Sequence, residues 1–257
     1  MTEFSSNKRA AIVVAGGSGT RFGAMKQFVN LFGLPVIAWS IYELLQVVGQ
    51  IVLVVPKEVS ADYDKKRVLE MISDKAADAN RHEVIGKYFC ETDYQDEYLA
   101  DVLSVVPGGN SRSESVRCGL QLVNAQVESV VVHDGARPLA RQSLFSQVIA
   151  KIEEGYDGAT CYLPVTDTIK SVTEDGNLTT LDRNKLIAVQ TPQAFSLPIL
   201  IKAHLDCPDA TADIALLEAL GANVALVKGD SMNLKITESQ DIKLFEYLVT
   251  MASAKSR

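Results

Sequence analysis

Apolar runs recur along the chain, and most of them break off at glycine, proline or a cluster of polar residues. Ala10 to Ala15 is apolar throughout, so it predicts a central strand covered on both faces. Pro35 can open a helix at its first turn. Ile37, Ile41, Leu44, Leu45 and Val48 then follow at helical spacing, with Gly49 as the stop. Ile51 to Val55 predicts a second buried strand, closed by Pro56. Strand, helix, strand in that order implies a right-handed parallel crossover.

Residues 59–101 are charged and poorly punctuated, and they predict a helix plus an embellishment at the sheet's edge. Leu103 to Val106 is a short strand ending in Pro107-Gly108-Gly109-Asn110. Ser111-Arg112-Ser113-Glu114 fits a capping box, followed by Val116, Leu120 and Val123 on a helix. Ser129 to His133 is another buried strand, ending in Asp134-Gly135-Ala136-Arg137-Pro138. Leu144 to Ile152 predicts a helix, Ala159 to Leu163 a strand, Ile214 to Leu220 a helix ended by Gly221, and Val224 to Val227 a strand. Thr237 with Gln240 resembles a second capping box. Ile242, Phe245, Leu248 and Val249 make the last helix amphipathic.

Between these elements, Ile169 to Val172 and Leu178 to Leu181 flank Glu174-Asp175-Gly176-Asn177, a hairpin signal. The hairpin is threonine-rich and thinly apolar. An exposed two-stranded arm is marginal alone, so packing against a partner subunit would stabilise it and cover its edges.

The chemistry concentrates where strands end. After Val14 comes Ala15-Gly16-Gly17-Ser18-Gly19-Thr20-Arg21, with Lys26 five residues on. Glycines let a backbone approach a phosphate closely, and the loop's N–H groups can cradle an anion. Arg21 and Lys26 would add charge-assisted hydrogen bonds of about 1.5–3 kcal/mol each. Gly17, Gly19 and Gly23 do not match the dinucleotide G-x-G-x-x-G, and no Walker loop is present. The competing reading is a tight turn with two solvated cations. Polar clusters also follow Val106, His133 and Val227 and lie near Ala188, and open parallel sheets bind ligands beyond the carboxyl ends of their strands.

Composition narrows the class. The 257 residues, 47% hydrophobic and 22% charged, suffice for a large core. A net charge of -7 argues against a general nucleic-acid binder but leaves room for a local cationic pocket. Cys90, Cys118, Cys161 and Cys207 are widely spaced, as are His82, His133 and His204, so no zinc pattern appears. Reduced thiols in a cytoplasmic setting are expected. The polar amino terminus has no signal-like run, and no stretch approaches the ~18 apolar residues of a membrane helix.

Five segments, in order, resemble the 2-C-methyl-D-erythritol 4-phosphate cytidylyltransferases. They are Ala15 to Arg21 with Lys26-Gln27-Phe28, Gly108 to Arg112 with Ser115, Val132 to Pro138, Asp182-Arg183 with Gln190 to Phe195, and Asn233 to Thr237. The resemblance implies an α/β fold of nucleotidyltransferase type: a doubly wound, mostly parallel, Rossmann-like sheet flanked by helices. It implies one domain over 1–257, a protruding β-hairpin dimerisation arm at 165–190 and a family-variable insertion at 59–101.

The implied reaction takes CTP and the polyol phosphate to a CDP-linked alcohol and pyrophosphate, with Mg²⁺ or another divalent cation. By motif position, Arg21 and Lys26 stabilise charge on the α-phosphoryl group. Ala15, Gly16, Gly17 and Gly19 form the nucleotide loop, and Gly109, Asn110 and Ser115 contact cytosine and ribose. Asp134 contacts the alcohol's hydroxyls and is a candidate metal ligand. Thr191 and Lys235 meet the incoming phosphate. Arg183 and Thr168 cross a homodimer to complete the partner's site. Thr211 reaches the alcohol, although the order Thr211-Ala212-Asp213 departs from the family's threonine followed directly by acidic residues. The alternatives are a ribitol-5-phosphate cytidylyltransferase and a non-catalytic nucleotide-binding protein on the same fold. Neither nucleic acid nor membrane is an expected partner.

Overall fold

A computed structural model of the chain describes residues 6–17, 22–73, 96–207 and 212–255. Its centre is a seven-stranded sheet in the order β11-β7-β10-β6-β1-β4-β5. The strands are β1 (Arg9–Val14), β4 (Gln50–Val55), β5 (Leu103–Pro107), β6 (Ser129–Asp134), β7 (Gly158–Pro164), β10 (Ile187–Ser196) and β11 (Val224–Lys228). Two short ladders stand apart: β2 (Asn30–Leu31) with β3 (Leu34–Pro35), and β8 (Lys170–Val172) with β9 (Leu178–Thr180). The helices are α1 (Val36–Leu44), α2 (Lys65–Ser73), α3 (Asp96–Val102), α4 (Arg112–Leu120), α5 (Gln142–Glu153), α6 (Leu197–Asp206), α7 (Asp213–Ala219) and α8 (Asp241–Lys255).

The continuous apolar strands do sit at the centre. Successive side chains of a strand face opposite ways, and here both faces are covered. Ala11, Val13, Leu53 and Val131 join Ile37, Phe145 and Phe245 of α1, α5 and α8 on one face. Ala10, Ile12, Val54 and Val132 join Val116, Leu200 and Leu217 of α4, α6 and α7 on the other. β1 pairs in parallel with β4 and β6, and β4 with β5. The doubly wound, mostly parallel sheet is therefore present.

One strand of the central sheet escaped the hydrophobic pattern. β10 runs antiparallel between β6 and β7. It carries Gln190-Thr191-Pro192-Gln193, and proline ordinarily argues against a central strand. The register shifts between Gln190 and Gln193, so Thr191 and Pro192 occupy a bulge that needs no ladder bond. The polar side chains find partners across the sheet, as where Gln193 Nε2 donates to Thr160 Oγ1 at 3.1 Å.

Local expectations met mixed outcomes. α1 ends at Leu44, so Val47 and Val48 are buried in the following turn and not on the helix. Val123 likewise lies beyond α4. Ser111 Oγ accepts from Glu114 N at 3.0 Å, while the Glu114 carboxylate reaches past Ser111 to Asn110 N at 2.6 Å. Thr237 and Gln240 form no capping box. The Asp241 carboxylate instead accepts from Thr237 N, Thr237 Oγ1 and Glu238 N. The hairpin is a separate antiparallel ladder with every residue of β8 and β9 exposed and Gly176 at φ +79°. Of the 59–101 segment, α2 packs against the edge strand β5, and 74–95 lie outside the described residues.

Candidate active site

At the carboxyl ends of the parallel strands lies a cleft of about 510 Å³. Its lining comes from six places in the chain. Val14 ends β1 and Ala15 to Gly17 follow it, and Lys26 and Gln27 form the next turn. Glu58 follows β4, Gly109 to Arg112 with Ser115 follow β5, and Asp134 and Ala136 lie at the end of β6. Lys235 arrives from beyond β11.

The glycine loop is shaped by buried contacts. Ala15 N donates to Val54 O at 2.8 Å. The buried Gln27 side chain donates to Ala15 O at 2.6 Å and to Gly17 O at 3.3 Å. A Cβ on Gly16 would lie 3.1 Å from Ser115 Oγ, closer than ordinary van der Waals contact, so the loop packs tightly against α4 here. Ser115 Oγ donates to Ser111 O at 2.9 Å and accepts from Gly109 N at 3.3 Å, which ties the Gly109 turn to the first turn of α4.

Asp134 sits among cations. Lys235 Nζ is 2.7 Å from its Oδ2, Arg112 Nε 3.5 Å from its Oδ1 and Arg137 Nε 3.6 Å from its Oδ2. Burial alone would push this carboxyl up. The Lys235 ammonium and the two guanidiniums outweigh that and hold it well below the usual carboxylate range. Lys26 Nζ donates to Ile236 O at 2.6 Å, so Lys26 and Lys235 meet at one rim although 209 positions separate them.

Behind this rim, Thr191 Oγ1 accepts from Asp134 N at 3.0 Å. Asn233 Nδ2 donates to Thr191 O at 2.8 Å, and Arg137 Nη1 donates to Asn233 O at 2.7 Å. Thr191 therefore braces Asp134 from a buried position and is not among the cleft-lining residues. His133 is structural: its ring meets Phe145 edge-on and its Nε2 lies 3.2 Å from both Ser40 Oγ and Arg137 O.

Of the expected site residues, Ala15, Gly16, Gly17, Lys26, Gly109, Asn110, Ser115, Asp134 and Lys235 come together in the cleft. Arg183 and Thr168 do not. They lie on the exposed arm, where Arg183 donates to Thr166 O. Gly19, Arg21 and Thr211 lie outside the described residues. Pattern reading passed over Glu58 and gave Gln27 no role beyond its place in the Lys26-Gln27-Phe28 motif, because both look like ordinary polar positions in the sequence. Arg112 entered only as part of the Gly108 to Arg112 segment; it opens α4, where the helix dipole disfavours a cation.

Comparison with known proteins matches this geometry. The family model described as "IspD: 2-C-methyl-D-erythritol 4-phosphate cytidylyltransferase" matches residues 62–251. The chain belongs to the 2-C-methyl-D-erythritol 4-phosphate cytidylyltransferase family. A relative of that name from Carboxydothermus hydrogenoformans is 36% identical over 256 residues, covering 96% of this chain and 98% of its own. Another, from Desulforamulus reducens, is 36% identical over 242 residues, covering 90% and 92%. Among solved structures, the 4-diphosphocytidyl-2C-methyl-D-erythritol synthase of Anaerococcus prevotii has the same fold. Its TM-score is 0.73 at 24% identity, over 95% of this chain and 99% of that one. The family model begins after the glycine loop, but the Carboxydothermus relative aligns over nearly the whole length. Among the described residues, no helix is long and apolar enough to cross a membrane.

Proposed function

We propose that this protein transfers the cytidylyl group of CTP to 2-C-methyl-D-erythritol 4-phosphate. The products are 4-diphosphocytidyl-2-C-methyl-D-erythritol and pyrophosphate. The observation that carries this reading is the meeting of Lys26, Lys235 and Asp134 with the glycine loop in one cleft. Family membership supplies the substrates.

A phosphate oxygen of the alcohol attacks the α-phosphorus of CTP. The new P–O bond forms as the bond to the bridging oxygen of pyrophosphate breaks, and that oxygen keeps the electron pair. The nucleophile is already ionised, so no base is required. The task left to the protein is to hold two polyanions together and to stabilise charge building on the α-phosphoryl oxygens. Lys26 and Lys235, which line the cleft, are assigned to that charge together with Arg21. The N–H groups of Ala15 to Gly17 bind the triphosphate, and Gly109, Asn110 and Ser115 read the nucleoside. Asp134, kept ionised by its cations, accepts hydrogen bonds from the alcohol's hydroxyls.

The residues present suit a Mg²⁺ ion carried by the triphosphate. Mg²⁺ commonly takes one or two carboxylates plus substrate phosphates, and no three-carboxylate or histidine cage exists among the described residues. Asp134 is the protein group that would hold it, and the ion would neutralise phosphate charge. The arm carries Val172 at 67% and Leu178 at 61% exposure, which favours burial against a second copy. Arg183 and Thr168 would then enter the partner's cleft. A cytoplasmic location agrees with reduced thiols.

Pyrophosphate release from each nucleoside triphosphate with each of the two polyol phosphates, with and without Mg²⁺, tests the reading. Release with CTP and methylerythritol phosphate is expected. Release only with ribitol 5-phosphate would reassign the substrate, and release with neither would leave a nucleotide-binding protein. Sedimentation of the intact chain is expected to give a dimer.

A further inference from the structure

Asp213 is a buried acid with no part in the steps above. It is the first residue of α7 and is 1% exposed. Its Oδ2 accepts from Arg112 Nη1 at 2.5 Å, and its Oδ1 lies 3.1 Å from His204 Nε2 of α6. His204 Nδ1 in turn faces Ser113 Oγ at 3.4 Å. Buried carboxylates persist when paired and hydrogen-bonded, and His204 is already one such partner. The guanidinium on the other oxygen continues outward to line the cleft, where its Nε stands 3.5 Å from Asp134 Oδ1.

This arrangement also resolves the misplaced cation. Arg112 opens α4, where the helix dipole opposes positive charge. Two carboxylates, Asp213 and Asp134, offset that cost and hold its pKa up despite burial. Asp134 is consequently gripped at both oxygens from different elements, Oδ1 by Arg112 and Oδ2 by Lys235 and Arg137. A carboxylate held at both oxygens has a set plane, and its remaining lone pairs have set directions.

We infer that Asp213 is a positioning residue of the alcohol subsite: it holds Arg112, and Arg112 turns the Asp134 carboxylate toward the hydroxyls of the polyol phosphate. The inference rests on the reading of Asp134 as the alcohol contact. It makes α6 and α7, which contribute no lining residue, part of substrate selection.

Steady-state kinetics of the full chain test it. Asp213→Asn is expected to raise the KM for methylerythritol phosphate about tenfold while the KM for CTP stays within about twofold. Added to Asp134→Asn, the same change should move the polyol KM by less than about twofold further, because the carboxylate it orients is gone. Arg112→Lys keeps a cation facing Asp213 but cannot span both acids, so it should reproduce the polyol effect. It carries the test if Asp213→Asn loses its cooperative melting transition. A CTP KM that rises as much as the polyol KM, full additivity with Asp134→Asn, or an unaffected Arg112→Lys enzyme overturns the inference. An Asp134→Asn enzyme with an unchanged polyol KM overturns the reading of Asp134 itself, and the inference with it.

Discussion

Lys235 Nζ stands 2.7 Å from Asp134 Oδ2, an ion pair joining positions 101 residues apart at the mouth of the cleft. The lysine side chain is 40% exposed while the carboxylate is mostly buried, so the pair presents its cation to a ligand. A donor aimed at developing phosphoryl charge is worth about 10²–10³ in turnover. Lys235→Ala is therefore expected to lower kcat by about that factor in a pyrophosphate-release assay. A loss below about fivefold would show that Lys235 serves Asp134 alone.

Lys26 is tied to the same rim through Ile236 O. Its proposed task is stabilising charge that appears only during transfer, so Lys26→Ala should cut kcat far more than it weakens CTP binding. Turnover measured beside calorimetric CTP titration separates the two. Equal losses would place Lys26 in ground-state binding.

Gly119 lies on the face of α4 that meets the sheet. A Cβ there would stand 2.7 Å from Ile12 Cγ2 and 3.2 Å from Val54 Cγ2. Alanine ordinarily gains about 1 kcal/mol over glycine inside a helix, but overpacking a filled core costs about 1–3 kcal/mol. Gly119→Ala is expected to lower the urea midpoint, with CTP binding weakened too because α4 carries Ser115. A raised midpoint would mean that α4 has room to shift.

Burial pushes His133 down to about 4 from an ordinary value near 6.5. The unfolded chain therefore binds a proton between those values that the folded chain refuses. Stability from this group is complete above about pH 6.5 and is lost as pH falls toward 4, by up to about 3 kcal/mol. Urea unfolding from pH 7 to pH 4 should show the decline, and His133→Gln should flatten it. An equal slope in both proteins would assign the decline to other groups.

Burial likewise raises the Cys161 thiol to about 12. With the thiolate form suppressed, Cys161 should resist alkylation in the folded protein and react only on unfolding. Mass mapping of labelled peptides with and without denaturant decides this. Labelling under native conditions would contradict its burial.

The apolar strands, their parallel order and the polar turns that follow them were legible in the sequence. A run such as Ala10 to Val13, buried on both faces, has few alternatives once its length and its glycine stop are known. The glycine loop and Lys26 were readable for a related reason, whereas the roles of Asp134 and Lys235 came only through the family resemblance. Phosphate chemistry demands backbone amides and cations, and strand ends are where an open sheet can offer them. β10 was not legible, because Gln190, Thr191 and Gln193 are buried by partners on other strands, and a polar strand has no hydrophobic signature. Nor was the Asp213–Arg112–Asp134 chain, whose members come from separate helices and a strand. Only packing α6 and α7 onto the sheet brings a carboxylate 101 positions away to the first residue of α4. Local pattern determined which elements form and where anions can dock; long-range contact decided which charges face each other, because that depends on distances the chain acquires only when folded.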